Sequence, residues 1–392
     1  MTQRRAVIVG AGIGGLASAI ALEQAGWRVA LLERGDRLRD DGTALLVQAN
    51  AMRALRALGL GLAIDAIAQP FDSGVLRRPD GKPLIRSVTP EPVDRTEPQS
   101  VVFHRGDLLE ALVSALGDRV EIHTGVTVTN VDLVHPAAGD NTRRWPADLV
   151  VGADGINSAV RTGIDPHATV TGTGTVAFRA VIPPHRVPRL PDDGGETHGA
   201  NGQRFRYAPL SERGAYWTAV VRGGQRPEPA DVRHRLLAEW FRGWHDPIPK
   251  LINATRPEEI RQEQLSYLHP LPRRYTQVAA DGGAVLVGDA AHAMAPDLGL
   301  GAGLALEDGV TLGICLTHAS IPDGLGEYEH LRRGRTVRLA KTARRMAALL
   351  GSRGKLGTTM RDGLLRAMPE GWLSRGAGAA AVSDWHPPSP SR

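Results

Sequence analysis

Residues 5–34 switch hydrophobic period twice within thirty positions. "RAVIVG" is a continuous apolar, β-branched run and predicts a buried strand. "AGIGG" interrupts it, "LASAIALEQAG" carries apolar residues at helical spacing, and "WRVALLER" resumes a strand. Gly26 stands where a helix would end in a left-handed residue. "NAMRALRALGLG" then predicts a short amphipathic helix. Between 70 and 100 five prolines punctuate the chain, and "RPDGKPL" has the composition of a hairpin turn. A helix is expected at "RGDLLEALVSALG", with strands around "VEIHTGVTVTNVDLV" and "ADLVVGADG".

From 166 to 279 the pattern becomes short strands between turns, as in "GTVAFRAVI", "GQRFRYAPL" and "GAYWTAVVRG", an antiparallel style with one helix at "ADVRHRLLAEWFRGW". His198, in "GETHGANG", is expected in a loop. "GAVLVG" restores the α/β style, and 326–370 read as helical and arginine-rich. The order predicts one nucleotide-binding domain assembled from 1–72, 101–165 and 280–345, with a sheet domain made from 73–100 and 166–279. A helical segment at 346–375 and a disordered tail at 376–392 complete the reading.

Composition narrows the class. Of 392 residues, 42% are hydrophobic and 23% charged, ordinary for a globular chain with a sizeable core. The apolar runs are too short to span a bilayer, and "MTQRRAVIVGAGIGG" does not resemble a signal peptide. Cys315 is the sole cysteine, which excludes an internal disulfide and fits a cytoplasmic protein. The net charge of +5 comes from arginines scattered along the chain rather than gathered in a stripe, which argues against a nucleic-acid partner. No histidine pairing of the H-x-x-x-H kind suggests a metal.

Three motifs carry the chemistry. Gly10, Gly12 and Gly15 form G-x-G-x-x-G between strand and helix, with Gly14 inside it. The first permits a tight turn, the second lets a pyrophosphate approach the backbone, and the third lets helix and strand pack closely. Phosphate would meet the free N–H groups and dipole of the helix. Glu33 closes the second strand 18 residues after Gly15, where an acid takes ribose hydroxyls, and Arg34 follows it. The absence of further βα units directly after residue 34 favours FAD over NAD. The second motif is Asp154–Gly155, ending the strand of "VVGADGINSAVR". The third is "VLVGDAAHAMAPDLGLGAG", which places Asp289 at the carboxyl end of a strand. There a carboxylate can accept from ribityl or ribose hydroxyls, and Pro296, Gly299, Gly301 and Ala302 lead into a helix whose N-terminus can stabilise negative charge on a reduced flavin.

In this order and spacing, over roughly residues 5–345, the motifs resemble the single-component FAD-dependent aromatic hydroxylases, the para-hydroxybenzoate hydroxylase family. "FRGWHDPIPKLINAT" is most similar to the branch containing salicylate, 3-hydroxybenzoate and urate hydroxylases. The resemblance implies a glutathione-reductase-type FAD domain with an inserted antiparallel β-sheet substrate domain and a helical C-terminal segment. It also implies that Arg105 contacts FAD, that Asp154–Gly155 serves FAD and the nicotinamide donor, and that NAD(P)H reduces FAD. Reduced FAD would capture O2 as a C4a-hydroperoxide, whose distal oxygen attacks an electron-rich aromatic or heteroaromatic substrate. The chain departs from many relatives at Gly299-Leu300-Gly301, where G-Q-G is common, and at Ala44, where a second glycine is common.

The implied substrate site lies under the inserted sheet. Alternation puts Arg204 and Arg206 on one face and Phe205 and Tyr207 on the other, so Arg204 is a candidate for holding an anionic substrate. Tyr216 and Trp217 must face opposite ways, and Tyr216 and Asp297 are candidates for proton transfer. His292 is expected in a structural or a flavin-adjacent role rather than a catalytic one. The implied partners are a small aromatic or heteroaromatic substrate, with the protein a monomer or homodimer. Two readings compete: a flavin reductase or dehydrogenase of the same fold, and a binding protein on this scaffold without flavin. The halogenase reading lacks its W-x-W-x-I-P stretch.

Overall fold

The computed structural model describes residues 3–38, 43–70, 73–88, 101–190, 194–295, 299–351, 354–367 and 384–389. Its first layer is a six-stranded sheet in the order Thr276–Ala279, Gly282–Leu286, Leu149–Gly152, Arg5–Val9, Arg28–Leu32, Val120–His123. All neighbours pair in parallel except the first two, which form a hairpin. The strands of Arg5–Val9 and Leu149–Gly152 are buried almost throughout, as a parallel sheet covered on both faces requires.

Helix Ile13–Gln24 leaves the first strand at the glycine turn, and Gly26 ends it at φ +89°. Helix Gly301–Leu316 packs along it. A Cβ on Gly309 would stand 2.7 Å from Ala17, and one on Gly313 would stand 2.6 Å from Ala21, so small residues on both helices bring the two backbones together. The N-terminus of helix Gly301–Leu316 is thereby delivered beside the carboxyl ends of the strands.

The second layer is a seven-stranded sheet: Arg261–Leu268, Val170–Ile182, Ala215–Arg222, Arg204–Pro209, Gly195–His198, Ser73–Arg77, Pro83–Val88. One face buries Phe178, Phe205, Tyr207 and Trp217 against helices Ala230–Trp240 and Ile248–Ala254. The second of these helices is absent from the sequence expectation, because two prolines hide its short period. The opposite face turns toward a small sheet of Ala44–Val47, Val101–His104 and Gln69–Pro70: Ala208, Tyr216 and Val181 pack on its Ala44, Leu46 and Val102.

Helix Ile321–Leu350 runs back across the first layer, and helix Gly354–Ala367 packs Leu365 on Leu76, Leu84 and Ile85 of the second sheet. Residues 384–389 correct the expectation of a disordered tail. Trp385 is buried in the first core, and its carbonyl accepts from Arg53 Nη1 at 3.2 Å. A tryptophan carries more apolar area than any other side chain, enough to anchor a proline-rich end.

Candidate functional site

The glycine turn is built as its spacing demands. Gly10 takes φ +102°, and a Cβ there would strike the Ala153 carbonyl, so the turn lies directly on the Asp154 motif. A Cβ on Gly15 would collide with the Gly10 carbonyl oxygen, and one on Gly14 would stand 3.4 Å from Ala305 Cβ. Gly12, the residue before helix Ile13–Gln24, is different: among the described residues a Cβ there meets nothing within 4 Å beyond its chain neighbours, and no side chain caps the helix. That is the open approach to helix N–H groups that a pyrophosphate needs. Glu33 is half-buried beside it, accepting from Ala11 N at 3.0 Å and Gly35 N at 2.9 Å, while Arg34 is exposed.

At the second motif, Asp154 Oδ2 accepts from Ala159 N at 2.7 Å and Val160 N at 3.3 Å. Its Oδ1 is buried with no hydrogen-bond partner among the described residues, a lone pair positioned for a ligand hydroxyl. Burial raises the Asp154 pKa against the hydrogen bonds to its other oxygen. Gly155 follows at φ +75°. Arg161, buried two turns on, donates to Ile156 O at 2.6 Å and to Ala290 O at 3.3 Å, tying this motif to the third.

Gly288 adopts φ +58°, ψ −138°, a conformation that favours glycine, and so turns Asp289 out of its strand. Asp289 is open to solvent yet ringed by protein, as on the floor of a recess. That enclosure raises its pKa; His292 and Arg105 pull it down and Glu263 pushes it up. Arg105 thus lies near Asp289, at the first position of helix Arg105–Ser114. Pro296 and Asp297 fall outside the described residues. Gly299 takes φ +63°, and a Cβ on Gly301 would stand 3.8 Å from Asp289 Oδ1, so the helix starting at Gly301, with half-buried Ala302 next, begins beside that carboxylate.

The donor set suits FAD. An open helix N-terminus stands at one end, unpartnered or accessible carboxylate oxygens follow, and a second helix N-terminus stands where the ring would lie.

The inward face of the second sheet carries small side chains at its centre: Ala177, Thr218, Val220 and Ala208. Ion pairs flank them. On one side Arg179 bonds Glu263; on the other Arg206 bonds Glu196 through Nη2 and, at 3.0 Å, Nε. Glu196 also accepts from His198 Nε2 at 2.8 Å. Burial pushes the Glu196 carboxyl up, but Arg206, His198 and Arg204 outweigh it and hold the group well below the usual range. Burial also lowers the His198 pKa, against Glu196. His198 is therefore not a loop residue: it ends strand Gly195–His198, paired with Arg204, buried and on the inward face. Arg204 is half-buried on that face. Tyr216 is buried in the seam between the sheets, and burial raises its pKa.

Behind the third motif lies a cluster that no local pattern announces. Asp308 Oδ2 accepts from Gly288 N at 2.8 Å and His292 Nε2 at 2.6 Å, and its Oδ1 from Arg332 Nε at 2.6 Å. Glu307 accepts from Arg332 at 2.5 Å, from Arg335 at 2.8 and 2.9 Å, and from Asn50 Nδ2 at 2.6 Å. His292, Glu307, Asp308 and Arg332 are each 0% exposed, which places His292 behind the turn rather than on its cofactor side. Burial would raise the Asp308 pKa, but His292 and Arg332 outweigh it and lower it.

A largely parallel nucleotide-binding sheet, two acid-bearing turns and a facing, largely antiparallel sheet, in which only Gly195–His198 and Ser73–Arg77 pair in parallel among the described strands, define a flavin-dependent oxidoreductase. The sequence pattern of the family described as FAD binding domain matches residues 3–343, and the chain belongs to that family. It is 34% identical over 333 residues to the aurachin C monooxygenase/isomerase of Stigmatella aurantiaca, covering 83% of this chain and 84% of that one. It is 30% identical to a 2-heptyl-3-hydroxy-4(1H)-quinolone synthase of Mycobacteroides abscessus, over 90% and 92% of the two chains. A solved structure of Klebsiella pneumoniae HpxO complexed with FAD and uric acid superposes with a TM-score of 0.85 at 24% identity, covering 97% of this chain and 96% of that one. The chain is an FAD-dependent monooxygenase of the aromatic-hydroxylase class, a class that uses NAD(P)H and O2. Among the described residues no helix is long and apolar enough to cross a membrane.

Proposed function

We propose that this enzyme adds one oxygen atom to an uncharged bicyclic nitrogen heteroaromatic of the quinolone type. One observation carries the reading. The inward sheet face offers small side chains at its centre, while Arg179 and Arg206 are already neutralised by Glu263 and Glu196. A substrate carboxylate would have to compete with those acids, whereas a neutral ring needs only the apolar centre and a donor or acceptor at its rim. Two relatives support it, one named for acting on aurachin C and one for making a 3-hydroxy-4(1H)-quinolone.

In this reading the turn at Gly10, Gly12, Gly14 and Gly15 takes the FAD pyrophosphate, and Glu33 and Arg34 take the ribose end. Asp154 and Asp289 accept from sugar-chain hydroxyls, while Arg105, Gly155, Pro296, Gly299, Gly301 and Ala302 border the ring. Bound FAD would supply the two-electron relay from NAD(P)H to O2, with one oxygen atom going to the substrate and the other leaving as water. The protein's part is placement and exclusion of water. Arg204 donates to a ring carbonyl, Tyr216 walls the pocket, and Asp297 is kept as the proton relay. The parts that hold FAD are 1–72, 101–165 and 280–345; 73–100 and 166–279 cover the substrate, and 346–375 buttresses both. NAD(P)H supply points to the cytoplasm, and the closed set of motifs in one chain to a monomer or homodimer, which size-exclusion chromatography reads.

The test is mass spectrometry of reactions with NADH or NADPH and three probes. These are 2-heptyl-4(1H)-quinolone (the Mycobacteroides relative's named product less its 3-hydroxyl), urate and salicylate. A quinolone product heavier by one oxygen, with salicylate untouched, is expected. Turnover of salicylate alone would overturn the neutral-substrate reading. Donor oxidation with no oxygenated product from any probe would favour the reductase.

A further inference from the structure

The third motif and the helix after it are held from behind by one ionic cluster, and the cluster reaches both ends of the cofactor-facing segment. At the first end Asp308 bonds the Gly288 amide and His292, fixing the turn that presents Asp289. At the second end Arg332 donates to the carbonyl of Leu304, in the first turn of helix Gly301–Leu316, at 3.3 Å. Asn50, bonded to Glu307, also abuts that turn: a Cβ on Gly303 would stand 3.0 Å from Asn50 Nδ2. Arg332 bridges the two ends by bonding Asp308 and Glu307 together. It comes from helix Ile321–Leu350, which also meets the third motif through Tyr328, whose hydroxyl donates to the Leu286 carbonyl at 2.9 Å, and through Leu339, packed on Leu300 and Leu304.

We propose that Asp308 and Arg332 are positioning residues for FAD, setting the Gly288–Asp289 turn and the first turn of helix Gly301–Leu316 in a fixed relation on either side of the flavin. The inference rests on the assignment of those two turns to the cofactor. A cluster serving stability alone would need no bond to the Gly288 amide or to the first-turn carbonyl. Buried charges are poor stabilisers compared with apolar packing, but they fix one geometry where many apolar packings would be accepted. Two carboxylates and two arginines balance, so the cluster also adds little net charge behind the flavin.

Two variants test it. His292→Leu removes one bond to Asp308 and strands no charge. Asp308→Asn with Arg332→Gln removes both members of a pair together, leaving Glu307 with Arg335. For each, apo-protein is melted, titrated with FAD by flavin-fluorescence quenching, and its flavin midpoint potential measured. A folded variant of either kind that binds FAD at least tenfold more weakly, with a displaced potential, supports the proposal. Folded variants with wild-type Kd and potential overturn it. Loss of fold in both also overturns it, since the cluster would then hold the whole layer rather than the cofactor turns. Failure of the wild type to bind FAD would instead sink the cofactor assignment itself.

Discussion

Gly12 and Gly15 are three residues apart in one motif, yet the structure separates their roles, and Gly12→Ala against Gly15→Ala tests the separation. Beyond its chain neighbours, a methyl on Gly12 meets no atom of the described residues within 4 Å, at φ −76°, which alanine adopts freely. Apo-protein stability should therefore hold or rise slightly, by roughly 0.4–1 kcal/mol from the stiffer unfolded chain. The same methyl stands where a pyrophosphate would approach the helix N–H groups. Displacing the phosphate from charge-assisted hydrogen bonds costs about 1.5–3 kcal/mol. That converts to roughly a 10- to 150-fold rise in the Kd for FAD. Gly15→Ala drives its methyl into the Gly10 carbonyl and must push helix from strand. Overpacking of this kind costs about 1–3 kcal/mol, so this variant should melt lower even without FAD. Thermal denaturation of apo-protein and flavin-fluorescence titration read the two effects separately. A Gly12→Ala protein that binds FAD like wild type would refute the phosphate approach at this turn. One that melts markedly lower without FAD would refute the open space.

Other outcomes follow from the same geometry. FAD affinity should weaken as pH falls into the raised range of Asp154 and Asp289, because a protonated carboxyl accepts less well from sugar hydroxyls; equilibrium titrations between pH 4 and 7 measure this, and a flat profile would count against both acids. The corresponding stability contribution has the opposite sign. A carboxyl whose folded pKa is raised favours the apo fold at low pH and loses that contribution as pH climbs through the raised value. Cys315 is 5% exposed with its thiol pushed up to about 12, so iodoacetamide at pH 8 should label it only after unfolding, as mass spectrometry would show. Trp217 is fully buried, stacked on Phe205 with centroids 5.4 Å apart and donating to Thr255 Oγ1 at 2.9 Å. Trp217→Ala should cost about 3–5 kcal/mol in denaturant unfolding. A loss under 1 kcal/mol would show that the second sheet's core is not built on it.

What could be read in the sequence was whatever is encoded within a few residues. The glycine triplet, Glu33, Asp154 and Asp289 each sit at a strand end followed by a turn, and that local grammar sets their positions without help from distant contacts. Alternation likewise set Phe205 and Tyr207 opposite Arg204 and Arg206, and Tyr216 opposite Trp217, but only the packing shows that Phe205 and Trp217 share the buried face. Apart from helix Ile248–Ala254, masked locally by its two prolines, the misses are non-local. His198 sits among glycines, and only pairing with Arg204 and Ser73–Arg77 makes its segment a strand. Asn50, Glu307, Asp308 and Arg332 look like surface residues of amphipathic helices, because their partners lie up to 257 positions away. A buried charge carries no sequence mark until its counter-charge is known.

The order of strands in the first sheet bears on how the chain is made. Leu149–Gly152 pairs on one side with Arg5–Val9 and on the other with Gly282–Leu286. About 130 residues, carrying five of the second sheet's seven strands, are synthesised between this strand and its later neighbour. At roughly 5–20 residues per second, the ribosome leaves that apolar edge open for roughly 7–26 s. Throughout that interval a nascent chain offers unpaired N–H and C=O groups on a strand of Leu, Val and Val, the kind of edge that recruits other chains. Soluble yield should therefore depend on translation speed through residues 153–281 and on chaperones present while they emerge, even for variants whose finished fold is unchanged.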